Sequence, residues 1–384
     1  MSLTVDFKMT QSTVKEQVLV IGESPTIDIK SSASGIMIIT DNLIRALPNS
    51  TSIGKILEAA PGIDGYAAYG GGTTASNAYQ IDGVDITNPW GDTVSPEYRS
   101  FKEISSQGLG LPAEYGAFTG AVFNAITKSG SNKFHGQMEF NFQGEKWNSN
   151  NISSIPEENF VTPEVKDTPF GTNPNWDIGF DLGGPIFKDK LWFYLSGSYS
   201  RYKNKILGVE EESIQKIGKI FGKLTFLVNA PNRISFNYSF DDNVTDDYRY
   251  SPLVTAEACV DLENPGNLFN LNWTSILSQN SFFEMKFGYT SKEINTLPSS
   301  GYDTPAYRDL VTGENWGNSY WWLEIDSDIF SGLGHFSHYV SDFFGSHDLK
   351  FGIDARYEEV KIVQGFPSGS IYYYYYGSPY IKLE

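Results

Sequence analysis

Two carboxylates three positions apart, Asp82 and Asp85 in the run Tyr79-Gln80-Ile81-Asp82-Gly83-Val84-Asp85, are the first residues whose types and spacing could support acid–base or metal chemistry. Such chemistry needs more than a pair, and the neighbouring sequence offers no histidine and no third carboxylate to complete a site. Asp82-Gly83 between apolar residues is also the signature of a tight hairpin, whose two central residues take a left-handed backbone that Asp and Gly tolerate best. The triple glycine Gly70-Gly71-Gly72 invites a phosphate-cradle reading. A phosphate loop needs Gly-Lys-Ser/Thr running into a helix, and neither follows here. The four histidines are scattered, and the one cysteine, Cys259, excludes an intramolecular disulfide and a cysteine-based zinc cluster. No catalytic constellation, metal site or cofactor site is expected, and the chain is read as a non-enzyme.

Composition narrows the class further. A formal charge of −18 argues against a nucleic-acid partner, because nothing would release counterions from phosphates. Aromatic residues make up 15% of the 384 residues, above the ordinary soluble average, and many of them fall in alternating segments. No run of about 18 apolar residues exists, so no membrane helix is expected. The N-terminus also lacks the basic and apolar regions of a signal peptide, which places any such signal upstream of Met1.

The elements change character along the chain. A strand is expected over Lys15–Glu23, another over Gly35–Thr40, and a short helical turn capped by Asp41 or Asn42 before Pro48. Ser50–Ala60 carries Ile53, Ile56 and Leu57 on one side of a helix that Pro61-Gly62 ends. Gly65–Asn77 is read as an exposed loop, Asp82-Gly83 as a hairpin turn and Phe101–Gln107 as a strand. The stretch Pro112–Gly136 is the junction. Beyond it the period becomes two: Phe134, Gly136, Met138, Phe140 and Phe142 alternate with His135, Gln137, Glu139, Asn141 and Gln143. The same split recurs around Ile178–Leu182, Leu191–Ser200, Lys219–Phe226, Ile234–Phe240, Phe269–Thr274, Phe283–Tyr289 and Leu349–Glu358.

Connection lengths discriminate between the folds that alternate in this way. Tight turns at 184–189, 229–232, 279–280 and 345–346 take turns with long polar segments at 144–174, 203–213, 241–267 and 292–320. A β-sandwich gives no reason for that rhythm, whereas an outer-membrane barrel has short turns at one end, long loops at the other, and strands with an apolar outer and a polar inner face. About ten strands are expected, the last being the tyrosine-rich Ile371–Tyr380. Ten strands closed on themselves would leave no room for a domain of over about 100 residues, since it takes about 22 to hold a plugged lumen. The barrel is therefore expected to be incomplete in this chain.

Several ordered motifs give the chain a family resemblance. Val18-Leu19-Val20-Ile21-Gly22-Glu23-Ser24-Pro25, Leu57–Gly62, Tyr79–Asp85, Ala113-Glu114-Tyr115-Gly116 through Thr127-Lys128-Ser129-Gly130, Gly183-Gly184-Pro185-Ile186 and His347–Gly352 occur in the order found in TonB-dependent outer-membrane receptors. The chain resembles the Oar-like subgroup of that family over nearly its whole length. The resemblance implies an α+β plug domain over 15–131, preceded at 1–14 by a linker or the tail of a regulatory-like domain. Antiparallel transmembrane β-barrel strands would follow over 132–384, the N-terminal portion of the barrel. It implies ligand-gated import across the bacterial outer membrane, with outer-membrane lipid around the barrel and a TonB-type energy-coupling protein as partner. Asp82, Gly83, Glu114, Tyr115, Gly116, Gly120, Asn124, Lys128, Ser129 and Gly130 are the plug-signature positions, read as structural. Tyr66, Tyr69, Trp90, Trp316, Trp321 and Trp322 are the candidate ligand-binding aromatics, able to stack on flat ligands. Trp316, Trp321 and Trp322 have a competing role in an aromatic girdle at the membrane interface, which the belts of such barrels favour. A surface adhesin or assembly protein on the same scaffold is the alternative function.

Overall fold

A computed structural model describes residues 37–47, 53–64, 67–68, 73–89, 94–108, 118–144, 147, 175–205, 212–341 and 344–384. The strand expected over Lys15–Glu23, the triple glycine, and the positions Tyr66, Tyr69, Trp90, Glu114, Tyr115 and Gly116 lie outside the described residues.

The first half of the chain builds a small mixed sheet. Its elements are β1 (Met37–Thr40), α1 (Asp41–Ala46), α2 (Ile53–Leu57), the short pair β2 (Ile63–Asp64) and β3 (Ala67–Ala68), then β4 (Ala78–Ile81), β5 (Val84–Asp85), β6 (Phe101–Gln107) and β7 (Val122–Thr127). Five strands pair in the order β1-β6-β7-β4-β5, with β4 and β7 parallel and the other neighbours antiparallel. Thr40 is the N-cap of α1, so Asp41 sits in the first turn and Arg45 in the last, where each charge complements the helix dipole. Ile39, Ile44, Ile56, Leu57, Phe101 and Phe123 form the core between this sheet and its helices. Asn77, expected in an exposed loop, is buried, and its carboxamide oxygen accepts the Ala121 N–H at 3.0 Å.

The second half is a wall of long antiparallel strands: β8 (His135–Gln143), β9 (Asn175–Phe187), β10 (Leu191–Lys205), β11 (Glu212–Asn229), β12 (Asn232–Tyr248), β13 (Val260–Glu263), β14 (Gly266–Ser278) and β15 (Ser281–Pro298). After β16 (Ala306–Asp309) and β17 (Asn315–Trp316) it continues through β18 (Trp322–Val340) and β19 (His347–Gly365). Among the described residues the wall contains ten strands, with β13 and β14 in line, both between β12 and β15. Among the described residues β8 and β19 are its two edges.

The polarity of this wall is inside out. Met138, Phe140, Phe180, Leu271, Phe287 and Phe330 are exposed on its outer face, while Asp177, Ser196, Asn237, Ser239 and Asn270 are buried on the other. A wall that presents apolar side chains outward and hides polar ones suits a surrounding of hydrocarbon with a polar interior. No helix among the described residues is long and apolar enough to cross a membrane, so any crossing is made by strands.

Two expectations need correction. The segments 241–267 and 292–320 are not wholly loop, because β12 runs on to Tyr248, β15 to Pro298, and β13 pairs with both beyond β14. Past the apolar band both faces of these strands meet polar surroundings, so the alternation that marks a half-buried strand disappears. The tyrosine-rich segment is likewise not a wall strand. It forms β20 (Ile371–Tyr375) and β21 (Ser378–Leu383), which join β16 and β17 in a separate four-stranded sheet, in the order β17-β16-β20-β21, at the long-connection end of the wall.

The outward face makes a direct prediction. Leu271 lies between Phe236 and Phe287 in the cross-strand register. Leu271→Arg should lower folding stability in lipid vesicles by about 2–4 kcal/mol, as a cation at the bilayer midplane does. Leu271→Phe should leave it within about 1.5 kcal/mol, as volume-tolerant apolar changes do. Urea titration of the heat-modifiable folded band reads both.

Candidate functional site

The polar face of the wall and the inner sheet meet through buried charges, and the hairpin turn at Asp82-Gly83 is the centre of that contact. Asp82 (φ 51°) and Gly83 (φ 80°) both take the left-handed conformation expected of the two central residues of this turn. The turn aims the Asp82 carboxylate at the end of β7. There Oδ1 accepts the Thr127 N–H at 2.8 Å, and Oδ2 accepts the Thr127 hydroxyl at 2.7 Å. The same Oδ2 also accepts from two wall strands: Lys223 Nζ on β11 at 3.1 Å and Asn237 Nδ2 on β12 at 3.0 Å. Lys223 Nζ donates onward to the Thr127 hydroxyl at 2.7 Å, which closes the network. Burial pushes the Asp82 carboxyl up. The charge of Lys223 and the Thr127 hydrogen bonds outweigh that and hold the group below the usual carboxylate range.

A second cluster is built on Arg99, which follows the buried Tyr98 and is itself 1% exposed. Its guanidinium donates to Glu97 at 2.7 Å and Asp177 at 2.9 Å, and reaches Glu139 at 3.3 Å, so one inner-sheet cation is shared between its own segment and strands β8 and β9. Ser198 donates to Glu97, Ser200 to the other Asp177 oxygen at 2.7 Å, and the Tyr194 hydroxyl to the Arg99 carbonyl at 2.7 Å. Burial alone would lower the arginine's proton affinity, but Glu97 and its fellow carboxylates raise it further above its ordinary value. The guanidinium lies flat on Gly179 of β9, where any Cβ would occupy its place.

Further pairs continue along the interface. Arg45 at the end of α1 bridges Asp41 and Asp181, each at 2.9 Å, and Lys128 donates to Asp41 at 2.8 Å. Burial lowers the Lys128 pKa despite that bond, since Arg45 adds a like charge beside it. On the opposite side Asp241 of β12 accepts from Lys292 at 3.0 Å and from the Ser95 N–H at 3.2 Å. Arg356 of β19 donates to Asp85 at 3.3 Å and to the Thr87 carbonyl. Buried charges are tolerated only when paired and hydrogen-bonded, and each of these is.

The sequence-derived residues divide into those brought together and those kept apart. Asp82, Gly83 and Asn124 meet at β7, where Asn124 Oδ1 accepts the Gly83 N–H at 3.0 Å, while Lys128 turns to Asp41. Gly120 packs on Asn77, Ser129 receives a hydrogen bond from Thr225 at 3.5 Å, and Gly130 passes so close to the Phe193 and Gly184 carbonyls that a Cβ would collide with them. Trp316, Trp321 and Trp322 make separate contacts. Trp316 stacks on Tyr307 at 5.7 Å in the four-stranded sheet, Trp321 lies under Arg249 at 4.6 Å, and Trp322 meets Tyr302 edge-on at 5.3 Å. Sequence reasoning left Arg45, Glu97, Arg99, Lys223 and Lys292 without roles. The available signal was a charge on the inward-facing parity of an otherwise aromatic strand, as with Asp177, Asp181 and Lys223. Among the described residues no group of three or more His, Cys, Asp and Glu could hold a metal ion.

This arrangement can hold one body against another through buried ion pairs, beside a smaller apolar contact in which Leu268 of the wall joins the core of the inner sheet. Asp82→Asn keeps the left-handed turn but strands the Lys223 ammonium, and should destabilise the folded chain by about 3–5 kcal/mol in thermal or denaturant unfolding. Because the folded carboxyl titrates below its unfolded value, its contribution is complete above the ordinary aspartate range and is lost as pH falls through the folded pKa. Protease sensitivity of the inner sheet should therefore rise on acidification in the native protein and change little in the Asn variant. Gly179→Ala should cost about 1–3 kcal/mol by overpacking against Arg99, seen as a lower unfolding midpoint.

Comparison with known proteins agrees with this geometry. Residues 126–211 match the family model of an outer membrane beta barrel domain. The chain is 28% identical over 278 residues to the TonB-dependent transporter Oar of Myxococcus xanthus, a match that covers 61% of this chain and 26% of that protein. In fold it is similar to the outer membrane transporter YddB of Escherichia coli, with a TM-score of 0.67 at 15% identity over 91% of this chain and 51% of the other. The ferric citrate transporter FecA, in its unliganded form, gives 0.65 at 12% identity over 88% and 49%. The chain thus spans about a quarter of the curated relative and half of each of these solved structures. The relatives are transporters and receptors, not enzymes. The chain is thus similar in sequence to the TonB-dependent transporter Oar, matches an outer membrane beta barrel domain over part of its length, and resembles outer-membrane transporters in fold, similarities that point to the bacterial outer membrane.

Proposed function

We propose that this chain forms the plug, over 15–131, and the first part of the barrel, over 132–384, of a ligand-gated importer. In this reading residues 1–14 belong to a linker or a preceding regulatory-like domain. A ligand binds from the long-loop side, and a TonB-type energy-coupling protein in the inner membrane draws on the plug so that the ligand passes. No bond in the ligand is made or broken. Tyr66, Tyr69, Trp90, Trp316, Trp321 and Trp322 are proposed to contribute to ligand contact, and the plug-signature residues to hold the plug.

The observation that carries the reading is the set of ion pairs across the contact between inner sheet and wall. Asp82–Lys223, Arg99–Asp177 and Arg45–Asp181 are ion pairs between the two. Charges pulled from such pairs can be rehydrated in a polar lumen, whereas an apolar interface of the same size would resist separation in water. The similarity to transporters supports the same direction.

Growth on candidate nutrients at limiting concentration, with the intact gene, with the gene deleted, and with the energy-coupling protein deleted, tests the proposal. Import predicts that one nutrient supports growth only when both genes are present. Unchanged growth on every nutrient, with loss of surface attachment in the deletion, would replace import by the adhesin alternative.

A further inference from the structure

Two connections at the long-loop end, 249–259 and 299–321, converge on two arginines that make no ion pair among the described residues. Arg249 follows β12 and takes a left-handed backbone at φ 72°, a conformation that costs a non-glycine residue about 1 kcal/mol or more. Its guanidinium lies 4.6 Å from the Trp321 ring centroid, 5.4 Å from that of Tyr320 and 6.0 Å from that of Tyr248, and Nη1 donates to the Tyr320 hydroxyl at 3.2 Å. Arg308 on β16 reaches the same Tyr320 ring, at 5.1 Å. Two like charges therefore share one aromatic ring, and neither makes an ion pair among the described residues. Two carboxylates close to them in sequence are committed elsewhere. Asp309 accepts the Val311, Thr312 and Gly377 amides at 2.8, 3.1 and 2.7 Å, and Asp246 pairs with Lys216 at 2.7 Å.

Cation–π contacts orient a guanidinium but do not neutralise it, and two such groups held at one ring leave positive charge that an anion would offset. In a chain of net charge −18 this pair is a local exception. We propose that Arg249 and Arg308, oriented by Tyr320 and Trp321, bind the carboxylate or phosphate group of an incoming ligand whose flat part stacks on the aromatic rings. The arginine forks supply paired N–H donors for the anion, and the rings supply a surface for a planar group. The inference names the ligand class for the import reading and rests on it for the side of entry.

The test is a tryptophan-fluorescence titration of the protein purified from outer membranes in detergent. Phthalate serves as the flat anion, inorganic phosphate as competitor and benzyl alcohol as the flat neutral control. Phthalate should bind saturably and phosphate should compete, and binding should weaken with salt while benzyl alcohol has no effect. Arg249→Gln and Arg308→Gln should each weaken phthalate by about tenfold, the size of one charge-assisted contact. Arg249→Lys, which keeps the charge and loses the fork, should fall between. Heat-modifiable mobility confirms that each variant is folded. Identical titrations for the native protein and the doubly substituted R249Q/R308Q protein would overturn the site. Arginine-dependent binding of lipopolysaccharide micelles with none of the soluble anions would move the anion to a lipid headgroup and overturn the soluble-ligand form. Binding is read here without transport, so a flat titration leaves import standing, and a failed growth assay leaves the titration standing.

Discussion

The carboxylate of Asp82 is the group on which the rest of this structure depends. A hairpin turn fixes its direction, and burial forbids it to remain alone. Its four donors come from three elements: the Thr127 amide and hydroxyl at the end of β7, Lys223 on β11 and Asn237 on β12. One side chain thus ties the hairpin of the inner sheet to the exit of that sheet and to the wall. The chain leaves β7 through Lys128-Ser129-Gly130, where Gly130 allows the backbone to pass the wall carbonyls at close range. Moving the turn would therefore disturb the path by which the first wall strand begins.

The same constraint explains the inverted polarity of the wall. Strands surrounded by hydrocarbon must satisfy every backbone polar group with one another and present apolar side chains outward. The inward parity is then left for polar residues, and those residues need partners once the inner sheet fills the space. Arg99, Arg45, Asp85 and Asp82 on the inner side meet Asp177, Asp181, Arg356 and Lys223 on the wall. Buried pairs of this kind add little net stability compared with apolar packing, but they punish the loss of one partner severely. That combination gives specific seating, with Leu268 of the wall adding an apolar contact to the core of the inner sheet.

Much of this was legible in the sequence wherever a local rule set the outcome. The period of two placed β8 through β12, β14, β15 and β19, since a half-buried strand must alternate, and Asp82-Gly83 announced its own turn. Legibility failed where the physics is not local. The outer ends of β12 and β15 lie beyond the apolar band, so their sequence reads as loop although their backbones stay paired. The tyrosines at 372–376 look like a wall strand because aromatic residues favour any sheet, yet Tyr372 and Tyr374 pair with Tyr307 and Asp309 from a distant connection. The partners of Asp82 were hidden for the same reason: Lys223 is 141 positions away, and no pattern around either residue points to the other.

A double-mutant cycle on Asp82 and Lys223 tests the central claim most directly, by comparing the unfolding free energies of Asp82→Asn, Lys223→Met, the pair and the native chain. If the buried pair fixes the inner sheet to the wall, the cycle yields a coupling of at least about 1.5 kcal/mol, and the double variant is more stable than the sum of the single losses implies. Additive losses, with a coupling within about 0.5 kcal/mol of zero, would mean that the two groups act independently and that the inner sheet is held by something else.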